Sequence, residues 1–306
     1  MRYLFLLNPT AGKRDCTAEL APAIRAAAQR AGIPPEKRKV VVTQYAGHAR
    51  ELAAEAAHTA QADGEPVRIW TAGGDGTFNE ALTGAQGCGL AAVGCLPFGS
   101  GNDFLRTYGT REEFNDLDAQ LAGSEVDIDL MQTDLGLSAT ICAAGLDAQV
   151  AYGIPQFRRI PFCGGEMAYA LSIVRQLCGH IGRNVTFTID GEELTVDCLM
   201  CAVCNGRTYG GGFYAAPEAQ PDDGWLDVFI IRRVSRLTIA RLLGMYKSGR
   251  HFRNGELTEQ AKPCFIYRRA KCVSLRAITA QLKPLAGRVL LPKPAYERFM
   301  AQRASV

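Results

Sequence analysis

Apolar and polar positions along the first 130 residues follow a rhythm that predicts strands separated by helices. Short apolar or β-branched runs predict four strands: Arg2–Leu7, Lys39–Thr43, Val67–Thr71 and Leu90–Leu96. Segments with helical periodicity lie between them: Thr17–Arg30, His48–Gln61 and one that begins at Phe78–Leu82. Because strands separated by helices form parallel βαβ units, we expect a doubly wound α/β domain with a mostly parallel sheet.

The pattern changes after about Asp129, where short apolar runs are bounded by turn residues such as Asp190-Gly191. These runs predict further strands: Leu137–Ala143, Val185–Asp190, Glu193–Cys204, Leu226–Ile231, Cys264–Tyr267, Cys272–Arg276 and Arg288–Leu291. Two helices are predicted among them, Met167–Gly179 and Leu237–Lys247. We therefore expect an α/β domain over 1–129, which residues 292–306 could rejoin, and a mainly antiparallel β-sandwich domain over 130–291.

Eleven cysteines raise the question of disulfides or a metal site. Cys198, Cys201 and Cys204 have metal-like spacing, but a period of two places Cys198 and Cys204 on one face of a strand and Cys201 on the other. We interpret them as buried thiols of a cytoplasmic protein. The opening apolar run is too short for a secretory signal, and no apolar run reaches the roughly 18 residues that span a bilayer.

Charge is distributed unevenly along the chain. Residues 1–150 contain 12 Lys and Arg against 19 Asp and Glu, whereas residues 151–306 contain 22 against 12. A basic second half suits an anionic surface such as a phospholipid membrane, although a solvated Arg-rich face explains it equally well. No basic motif with interleaved aromatic residues accompanies it, so we expect no nucleic-acid partner.

A glycine-rich stretch between the third strand and the following helix gives the first indication of chemistry. Gly73, Gly74 and Gly76 allow backbone N–H groups to converge on an anion at the helix N-terminus. Asp75 stands among them, and a carboxylate beside phosphates requires Mg²⁺ between the two or a hydroxyl to orient. A tight turn with an N-cap, for which Thr77 is available, is the alternative interpretation of the same residues.

Loops at the ends of the other strands have a similar composition. Asn8–Gly12 (NPTAG) ends the first strand, Thr43 the second, and Leu96–Asp103 (LPFGSGND) the fourth. Because the carboxyl ends of parallel strands share one edge of the sheet, these loops predict a polyphosphate site there. The chain lacks both the P-loop motif and a G-x-G-x-x-G after its first strand, which disfavours a P-loop or a Rossmann dinucleotide site.

Two motifs stand out: Gly73–Thr77 (GGDGT) with Asn79-Glu80, and Leu96–Phe104 (LPFGSGNDF). Three downstream stretches accompany them: Gly145–Val150 (GLDAQV), Asn205–Gly212 (NGRTYGGG) with Ala216-Pro217, and Asp222–Asp227 (DDGWLD). Together they resemble the diacylglycerol kinase catalytic domain family, and in particular the bacterial soluble lipid kinases. NAD kinases carry a relative of GGDGT, but the other motifs disfavour them.

The resemblance implies transfer of the ATP γ-phosphate, with Mg²⁺, to a hydroxyl of a diacylglycerol-like lipid in a cleft between the two domains. It implies that ATP contacts the following residues: Asn8, Pro9, Thr10, Ala11, Gly12, Thr43, Gly73, Gly74, Asp75, Gly76, Thr77, Phe78, Asn79, Ser100 and Asn102. It also implies a structural Mg²⁺ held by Gln220, Asp223 and Trp225, the outer two through backbone carbonyls. The protein would be cytoplasmic and peripheral to the inner face of the membrane, and a homodimer is compatible with the sequence.

One departure from the family is serious. The family places an acidic general base in a D-G-E segment late in the β-domain, but this chain has no Asp or Glu between Glu259 and Glu297. Asp75 and Asp103 are then the candidate catalytic carboxylates. Because phosphoryl transfer depends mainly on positioning and charge stabilisation, the loss predicts either a slow enzyme or a pseudokinase that binds nucleotide or lipid.

Other segments have two interpretations each. Asp147 is a cleft residue or a helix N-cap, and His48 is the first residue of a helix or a catalyst. Tyr209–Gly212 allows close approach of a lipid or simply shapes a loop. Arg158–Phe162 (RRIPF) fits a membrane-dipping loop or a buried edge, and the helix at Leu237–Lys247 lies on a membrane or packs as an ordinary amphipathic helix.

Overall fold

The computed structural model describes residues 1–12, 14–134, 136–158, 165–179, 181–275 and 278–304 of the 306-residue chain. By its internal contacts the chain divides into two units: Met1–Leu130 together with Pro284–Val306, and Met131–Lys283. Two long strands, Ser124–Thr133 and Ile278–Leu291, carry the chain from one unit to the other. Residues 284–291, which the sequence pattern assigned to the second domain, fall in the first unit in this division.

The elements are numbered along the chain. The helices of the described residues are α1 (Thr17–Arg30), α2 (His48–Asp63), α3 (Asp75–Ala85), α4 (Arg111–Asn115), α5 (Leu117–Leu121), α6 (Leu146–Arg158), α7 (Gly165–Cys178), α8 (Arg236–Lys247) and α9 (Lys293–Ala304). The strands are β1 (Arg2–Leu7), β2 (Arg38–Val42), β3 (Val67–Gly73), β4 (Ala91–Pro97), β5 (Ser124–Thr133), β6 (Gly136–Ser138), β7 (Ile141–Gly145), β8 (Arg183–Ile189), β9 (Glu192–Cys204), β10 (Leu226–Arg232), β11 (Phe252–Arg253), β12 (Glu256–Leu257), β13 (Phe265–Ala270), β14 (Cys272–Leu275) and β15 (Ile278–Leu291).

The first unit is built on a parallel sheet. In it β1 pairs with β2 and β3, β3 pairs with β4, and the end of β15 pairs with β4. Strands β3 and β4 are apolar almost throughout and buried, as central strands of a parallel sheet are. The predicted α/β fold is confirmed. Helix α3 begins at Asp75, before the predicted Phe78, because the weak helix former Gly76 concealed its first turn in the sequence.

The core of the first unit is centred on Trp70. Its ring is fully buried on β3 and stacks on Phe5 of β1, with ring centroids 5.1 Å apart. Its indole Nε1 donates a hydrogen bond to Gln120 Oε1 at 2.9 Å, so the one polar group of this side chain is satisfied. Gln120 Nε2 in turn donates to the carbonyl oxygens of Cys95 and Phe114. These contacts hold β1, β3 and β4 in place beneath the loops that leave their carboxyl ends.

The second unit is an antiparallel, β-rich unit, as predicted. Its strands pair in the order β13, β10, β9, β8 and β14, while β7 also pairs with β9. Apolar side chains pack on both faces of β9 and β10. One cluster includes Phe187 and Val228, and the other includes Phe229, Phe265 and Ile239 of α8.

Several element predictions for this part of the chain were wrong. The single strand predicted at Leu137–Ala143 is two strands, β6 and β7, separated by a bend in which Ser138 Oγ accepts a hydrogen bond from the Thr140 N–H. Strand β15 begins at Ile278, well before the predicted Arg288. Strand β5 and helix α6 were not predicted at all.

Strand β9 also corrects the prediction for its three cysteines. Its pairing with β10 shifts register between Ile231, which faces Met200, and Arg232, which faces Cys198. The extra residue on β9 forms a bulge, which reverses the face that later side chains meet. Cys198 and Cys201 therefore pack in one core cluster and Cys204 in the other.

Candidate functional site

The glycine loop between β3 and α3 exposes the N-terminus of a helix. Gly74 is the N-cap residue of α3 in an extended conformation, and as a glycine it has no side chain with which to cap this terminus. Thr77, available as a cap in the sequence, instead lies inside the helix. A Cβ on Gly76 would meet no heavy atom within 4 Å, and its φ is not in the left-handed region. The fold therefore does not require glycine at this position, whereas a phosphate close to the backbone would.

The loop after β4 folds back onto Gly73. The Gly73 carbonyl oxygen accepts hydrogen bonds from the N–H groups of Phe98 and Gly99, at 3.0 and 2.8 Å, and from Asn102 Nδ2 at 3.0 Å. Asn102 adopts a left-handed backbone, with φ of 54°, to make this contact. The predicted Gly73 and Asn102 are thus brought together in the structure. Ser100, in the same loop as Asn102, is exposed.

The loop after β1 joins the same surface. Asn8 Nδ2 donates a hydrogen bond to Thr77 Oγ1 at 2.9 Å, and Asn8 Oδ1 accepts from both the N–H and the hydroxyl of Thr10. Gly12 has a φ of 78°, and a Cβ there would stand 2.4 Å from the Phe98 carbonyl oxygen. The chain therefore packs three separate loops together at the carboxyl ends of β1, β3 and β4.

The carboxylate of Asp75 is held in one orientation. Its Oδ1 accepts hydrogen bonds from the backbone N–H groups of Asp103, at 2.7 Å, and of Phe104, at 3.2 Å. A Cβ on Gly101 would stand 3.0 Å from Asp75 Oδ2, so glycine keeps that oxygen accessible. Asp103 is buried, and its own Oδ1 lies 3.6 Å from Arg106 Nε. The two predicted catalytic carboxylates are thus neighbours, but Asp103 contributes its backbone N–H to Asp75.

The remaining predicted residues lie around these loops. Thr43 follows β2, where its N–H donates to the Leu7 carbonyl oxygen at 2.8 Å. The Phe78 ring is buried against Phe104, with centroids 4.2 Å apart, so it packs beneath the loops. Asn79 lies in α3, and its carbonyl oxygen accepts from the Thr83 hydroxyl. Pro9 and Ala11 belong to the β1 loop, and Lys13, the next residue after Gly12, is outside the described residues.

Glu80 makes a contact near these loops, although it was not among the residues predicted to bind ATP. Its Oε1 accepts a hydrogen bond from the Gly47 N–H at 3.0 Å, which ties the segment before α2 to α3. The motif Asn79-Glu80 was the signal that could have identified it. His48 begins α2, and its Nδ1 accepts from the Gln44 N–H at 3.1 Å while its ring stacks on Tyr45. These contacts explain His48 as a residue of the helix start.

The residues expected to hold a structural Mg²⁺ lie in one loop of the second unit. Asp223 Oδ1 accepts a hydrogen bond from the Trp225 N–H at 3.0 Å, and Asp223 Oδ2 pairs with Arg269 Nη2. The Arg269 guanidinium and the Lys271 ammonium also lie over the Trp225 ring, 5.5 and 4.9 Å from its centroid. Gln220 is exposed nearby in sequence. With its single carboxylate paired to an arginine, this donor set does not fit a divalent cation, and the magnesium assignment stays a prediction from the resemblance.

Metal-ligating side chains do not cluster elsewhere in the described part of the chain. No group of three or more His, Cys, Asp or Glu residues there could hold a metal ion.

Of the helices in the described part of the chain, none is both long enough and apolar enough to span a bilayer. Helix α8 is capped by Ser235 and buries Ile239 and Tyr246, as an amphipathic helix does, while Leu237 is exposed. The suggested membrane loop at Arg158–Phe162 lies outside the described residues from Arg159 onward.

Comparison with known proteins relates two segments of the chain to known domain families. Residues 2–133 match the diacylglycerol kinase catalytic domain, and residues 140–274 match the YegS C-terminal NAD kinase beta sandwich-like domain. By these matches the chain combines a diacylglycerol kinase catalytic domain with a YegS-type C-terminal domain. All three loops of the candidate site lie within the segment that matches the catalytic domain of this lipid kinase family.

Individual relatives are distant. A diacylglycerol kinase of Mycobacterium tuberculosis is 30% identical over 203 residues, which are 63% of this chain and 64% of that relative. A diacylglycerol kinase of Bacillus subtilis is 26% identical over 255 residues, which are 82% of this chain and 80% of the relative. The chain spans 54% of the length of a further relative, from Staphylococcus haemolyticus.

The fold of the family is also found among solved structures. The crystal structure of a diacylglycerol kinase from Bacillus anthracis matches with a TM-score of 0.65 and 18% sequence identity. The match covers 94% of this chain and 96% of that one. At this identity the likeness shows the fold alone.

Proposed function

We propose that this chain is an ATP- and Mg²⁺-dependent lipid kinase, which transfers the γ-phosphate of ATP to a hydroxyl of a diacylglycerol-like lipid. The observation that carries the proposal is the contact of three loops at the open N-terminus of α3: Asn8–Gly12, Gly73–Gly76 and Phe98–Asn102. Backbone N–H groups at a helix N-terminus favour phosphate through both hydrogen bonding and the helix dipole.

Each loop has a part in binding the triphosphate. Gly76 leaves room for a phosphate to reach the α3 backbone, and the Asn8–Thr77 hydrogen bond holds the β1 loop beside it. Mg²⁺ enters with ATP as part of the substrate and offsets the charge of the triphosphate. Asp75, oriented by two backbone N–H groups, presents its other oxygen toward that charged assembly or toward the attacking hydroxyl. Positioning of this kind is the main contribution that proteins make to phosphoryl transfer.

The acceptor follows from the family and from charge. Relatives named diacylglycerol kinase support a diacylglycerol-like lipid. Such a lipid resides in a membrane, and the excess of Lys and Arg in residues 151–306 suits an anionic membrane surface. We therefore propose a cytoplasmic protein that acts peripherally at the inner face of the membrane.

One observation favours a second candidate function. No Asp or Glu occurs between Glu259 and Glu297, which includes all of β14 and β15, where the family has its acidic D-G-E segment. A general base contributes about 10²- to 10⁴-fold to catalysis, so its loss is compatible with a slow enzyme. It is equally compatible with a pseudokinase that binds nucleotide or lipid without turnover.

ATP consumption with Mg²⁺ and a panel of lipids in mixed micelles tests the proposal, with ATP binding measured in parallel. The decisive variant is Asp75→Asn, because an amide oxygen can still accept the two backbone hydrogen bonds while the charge is lost. Its matched control is Asp118→Asn, an exposed aspartate whose partner is Arg30 on the surface of the same unit. Lipid-dependent turnover that Asp75→Asn abolishes and Asp118→Asn preserves would support the kinase. Persistent ATP binding without turnover on any lipid would favour the pseudokinase.

A further inference from the structure

Asp147 carries an oxygen atom that the second unit does not satisfy. The residue lies in the first turn of α6, directly after β7. Its Oδ1 accepts a hydrogen bond from the Ala148 N–H at 2.8 Å, as a carboxylate at a helix N-terminus does. Its Oδ2 is buried and accepts no hydrogen bond from the described residues. A role at the helix terminus therefore accounts for Oδ1 but not for the buried Oδ2.

Its surroundings make the unpaired oxygen costly. Burial raises the pKa of Asp147 to about 6, because the carboxylate has lost water that would stabilise its charge. Buried polar atoms in proteins nearly always have a partner, and an exception calls for a ligand or an ordered water. Asparagine at this position would avoid the cost of a buried charge, so the acid reduces the stability of the fold.

Two tyrosines lie next to this carboxyl group. The Tyr209 hydroxyl interacts with Asp147 and lies 3.3 Å from the Tyr246 hydroxyl. Burial raises the pKa of both tyrosines well above the usual value, so both are neutral hydroxyls at physiological pH. We refer to Asp147, Tyr209 and Tyr246 as the acid–tyrosine cluster. It combines one strong hydrogen-bond acceptor with two groups that both donate and accept.

Hydrocarbon surrounds the acid–tyrosine cluster. Leu146, Tyr209 and Phe213 all pack on the core cluster that contains Phe229 and Phe265. The turn that follows Tyr209 is made of glycines, and a Cβ on Gly211 would meet no heavy atom within 4 Å. An apolar lining with a few convergent polar groups is typical of sites for small, mostly apolar ligands.

We propose that the acid–tyrosine cluster binds a hydroxyl group of the lipid acceptor, with Asp147 Oδ2 as hydrogen-bond acceptor and the Tyr209 hydroxyl as a second partner. An O–H donor would satisfy the oxygen that the described residues leave without a hydrogen bond, and the aliphatic part of a diacylglycerol is compatible with the apolar side chains packed around the cluster. The inference rests on the proposed lipid kinase function, since it names residues that would recognise the acceptor.

The charge of Asp147 changes close to neutral pH, because burial raises its pKa to about 6. The thiols of Cys198, Cys201 and Cys204 on β9 also interact with it, and burial raises their pKa, that of Cys198 to about 12. His251, whose ring lies 5.0 Å from that of Tyr246, has its pKa lowered to about 4 by burial. Because the carboxylate is the better acceptor, lipid affinity should rise as the pH increases through about 6.

The test measures binding of dioctanoylglycerol, a short-chain diacylglycerol, by titration calorimetry without ATP and below its micelle concentration. A hydrogen bond to a charged group corresponds to a roughly 10- to 100-fold change in affinity, which is the weakening expected for Asp147→Asn. Tyr209→Phe should weaken binding by several-fold. Asp147→Asn should also remove the rise in affinity near pH 6. Unchanged affinity in both variants would mean that the carboxyl group holds only a water, and would overturn the proposal.

Asp227→Asn is the matched control. Asp227 lies in the same unit, and burial raises the pKa of its carboxyl group too, but its Oδ1 accepts a hydrogen bond from the Tyr267 hydroxyl at 2.5 Å. Unlike Asp147, Asp227 has no buried oxygen without a hydrogen-bond partner, so the variant should keep the affinity for dioctanoylglycerol and lose thermal stability. Asp147→Asn should do the reverse and raise Tm at pH 7.5, since it removes an unpaired buried charge. A lower Tm with unchanged affinity would make Asp147 a structural residue.

Binding without ATP separates this inference from the kinase proposal. A chain that binds dioctanoylglycerol through Asp147 but consumes no ATP would support the inference and contradict the kinase. A chain that phosphorylates dioctanoylglycerol equally well with aspartate or asparagine at 147 would keep the kinase and overturn the inference. If the wild-type chain does not bind dioctanoylglycerol, the inference is wrong whatever the ATP assay shows.

Discussion

Gly99 and Gly74 lie closer together than two residues with side chains could. A Cβ on Gly99 would stand 2.3 Å from the Cα of Gly74 and 2.9 Å from its N. Both of these Gly74 atoms belong to the backbone, which cannot turn away as a flexible side chain could. This contact presses the β4 loop against the start of α3. The two glycine-rich motifs of the sequence form one surface because these two positions lack side chains.

Substitution Gly99→Ala should therefore destabilise the first unit. Overpacking of a tight contact costs about 1 to 3 kcal/mol, and the affinity for ATP should fall with it because the loop is displaced. Urea denaturation and ATP titration measure the two effects. Gly89→Ala is the control, since a Cβ there would meet no heavy atom within 4 Å and its φ is not in the left-handed region. Equal stability of the two variants would contradict the packing described here.

Gly76→Ala should separate binding from folding. The position lies in the first turn of α3 with open space around it, and alanine is a better helix former by up to about 1 kcal/mol. We expect unchanged or higher stability but an affinity for ATP reduced about 10-fold or more, because a methyl group would stand where a phosphate approaches. Thermal denaturation and ATP titration of the same preparation provide the check. Full ATP affinity in the variant would place the triphosphate elsewhere.

His251 should make stability depend on pH in a defined window. The ring is fully buried, and burial lowers its pKa from 6.5 to about 4. The unfolded chain takes up a proton first as the pH falls from 6.5 to 4, so this residue should reduce the free energy of unfolding by about 2 to 3 kcal/mol across that range. Above pH 6.5 its contribution is constant.

Urea denaturation of wild type and His251→Gln at several pH values measures that contribution. Glutamine can still donate a hydrogen bond to the Ala215 carbonyl oxygen, which His251 Nε2 contacts at 3.0 Å. The difference between the two proteins should shrink as the pH falls, whereas Asp147 titrates in both and cancels. His58→Gln, at an exposed position, should show no such trend. A difference that stays constant from pH 7 to 4 would contradict a neutral buried imidazole.

The pairing of Asp223 with Arg269 leads to a prediction about Mg²⁺. Because the arginine neutralises this carboxylate, millimolar MgCl₂ without nucleotide should leave the wild-type Tm nearly unchanged. Arg269→Ala should make Tm rise with MgCl₂, since the freed carboxylate can then take a cation. Arg30→Ala, which frees Asp118 on the surface, is the control. A wild-type Tm that rises by several degrees, and does not in Asp223→Asn, would show that Mg²⁺ displaces the arginine.

The edge of the parallel sheet could be predicted because its causes are local. β1 and α1 have the bounds that the sequence indicated, and the loops after β1, β3 and β4 follow from the parallel order of those strands. The sequence could not indicate how the loops touch. The hydrogen bond from Asn8 to Thr77 and the two bonds to Asp75 join residues far apart along the chain, through tertiary folding alone.

Where the prediction failed, a non-local cause is visible. Helix α6 contains Gly153 and Pro155, both poor helix formers, so its sequence argues against a helix. The structure needs that glycine, because a Cβ on Gly153 would stand 2.4 Å from Ser172 Oγ of α7. The prediction of which face of β9 each cysteine occupies failed for a comparable reason. The register shift opposite Ile231 and Arg232 arises from the pairing with β10 and cannot be seen in the apolar pattern of the sequence.

Strand β15 has a consequence for how the chain is made. Val289 pairs with Val93 of β4, and Arg288 forms an ion pair with Asp127, so the first unit includes residues that follow the second unit in the sequence. During synthesis the ribosome must add almost two hundred further residues after β4, as far as Val289, before β4 can acquire this neighbour. Until then β4 is an unpaired edge of an apolar sheet, which is a site for association with other chains. A fragment ending near residue 133 should therefore aggregate when expressed, even though it contains all three loops of the candidate site.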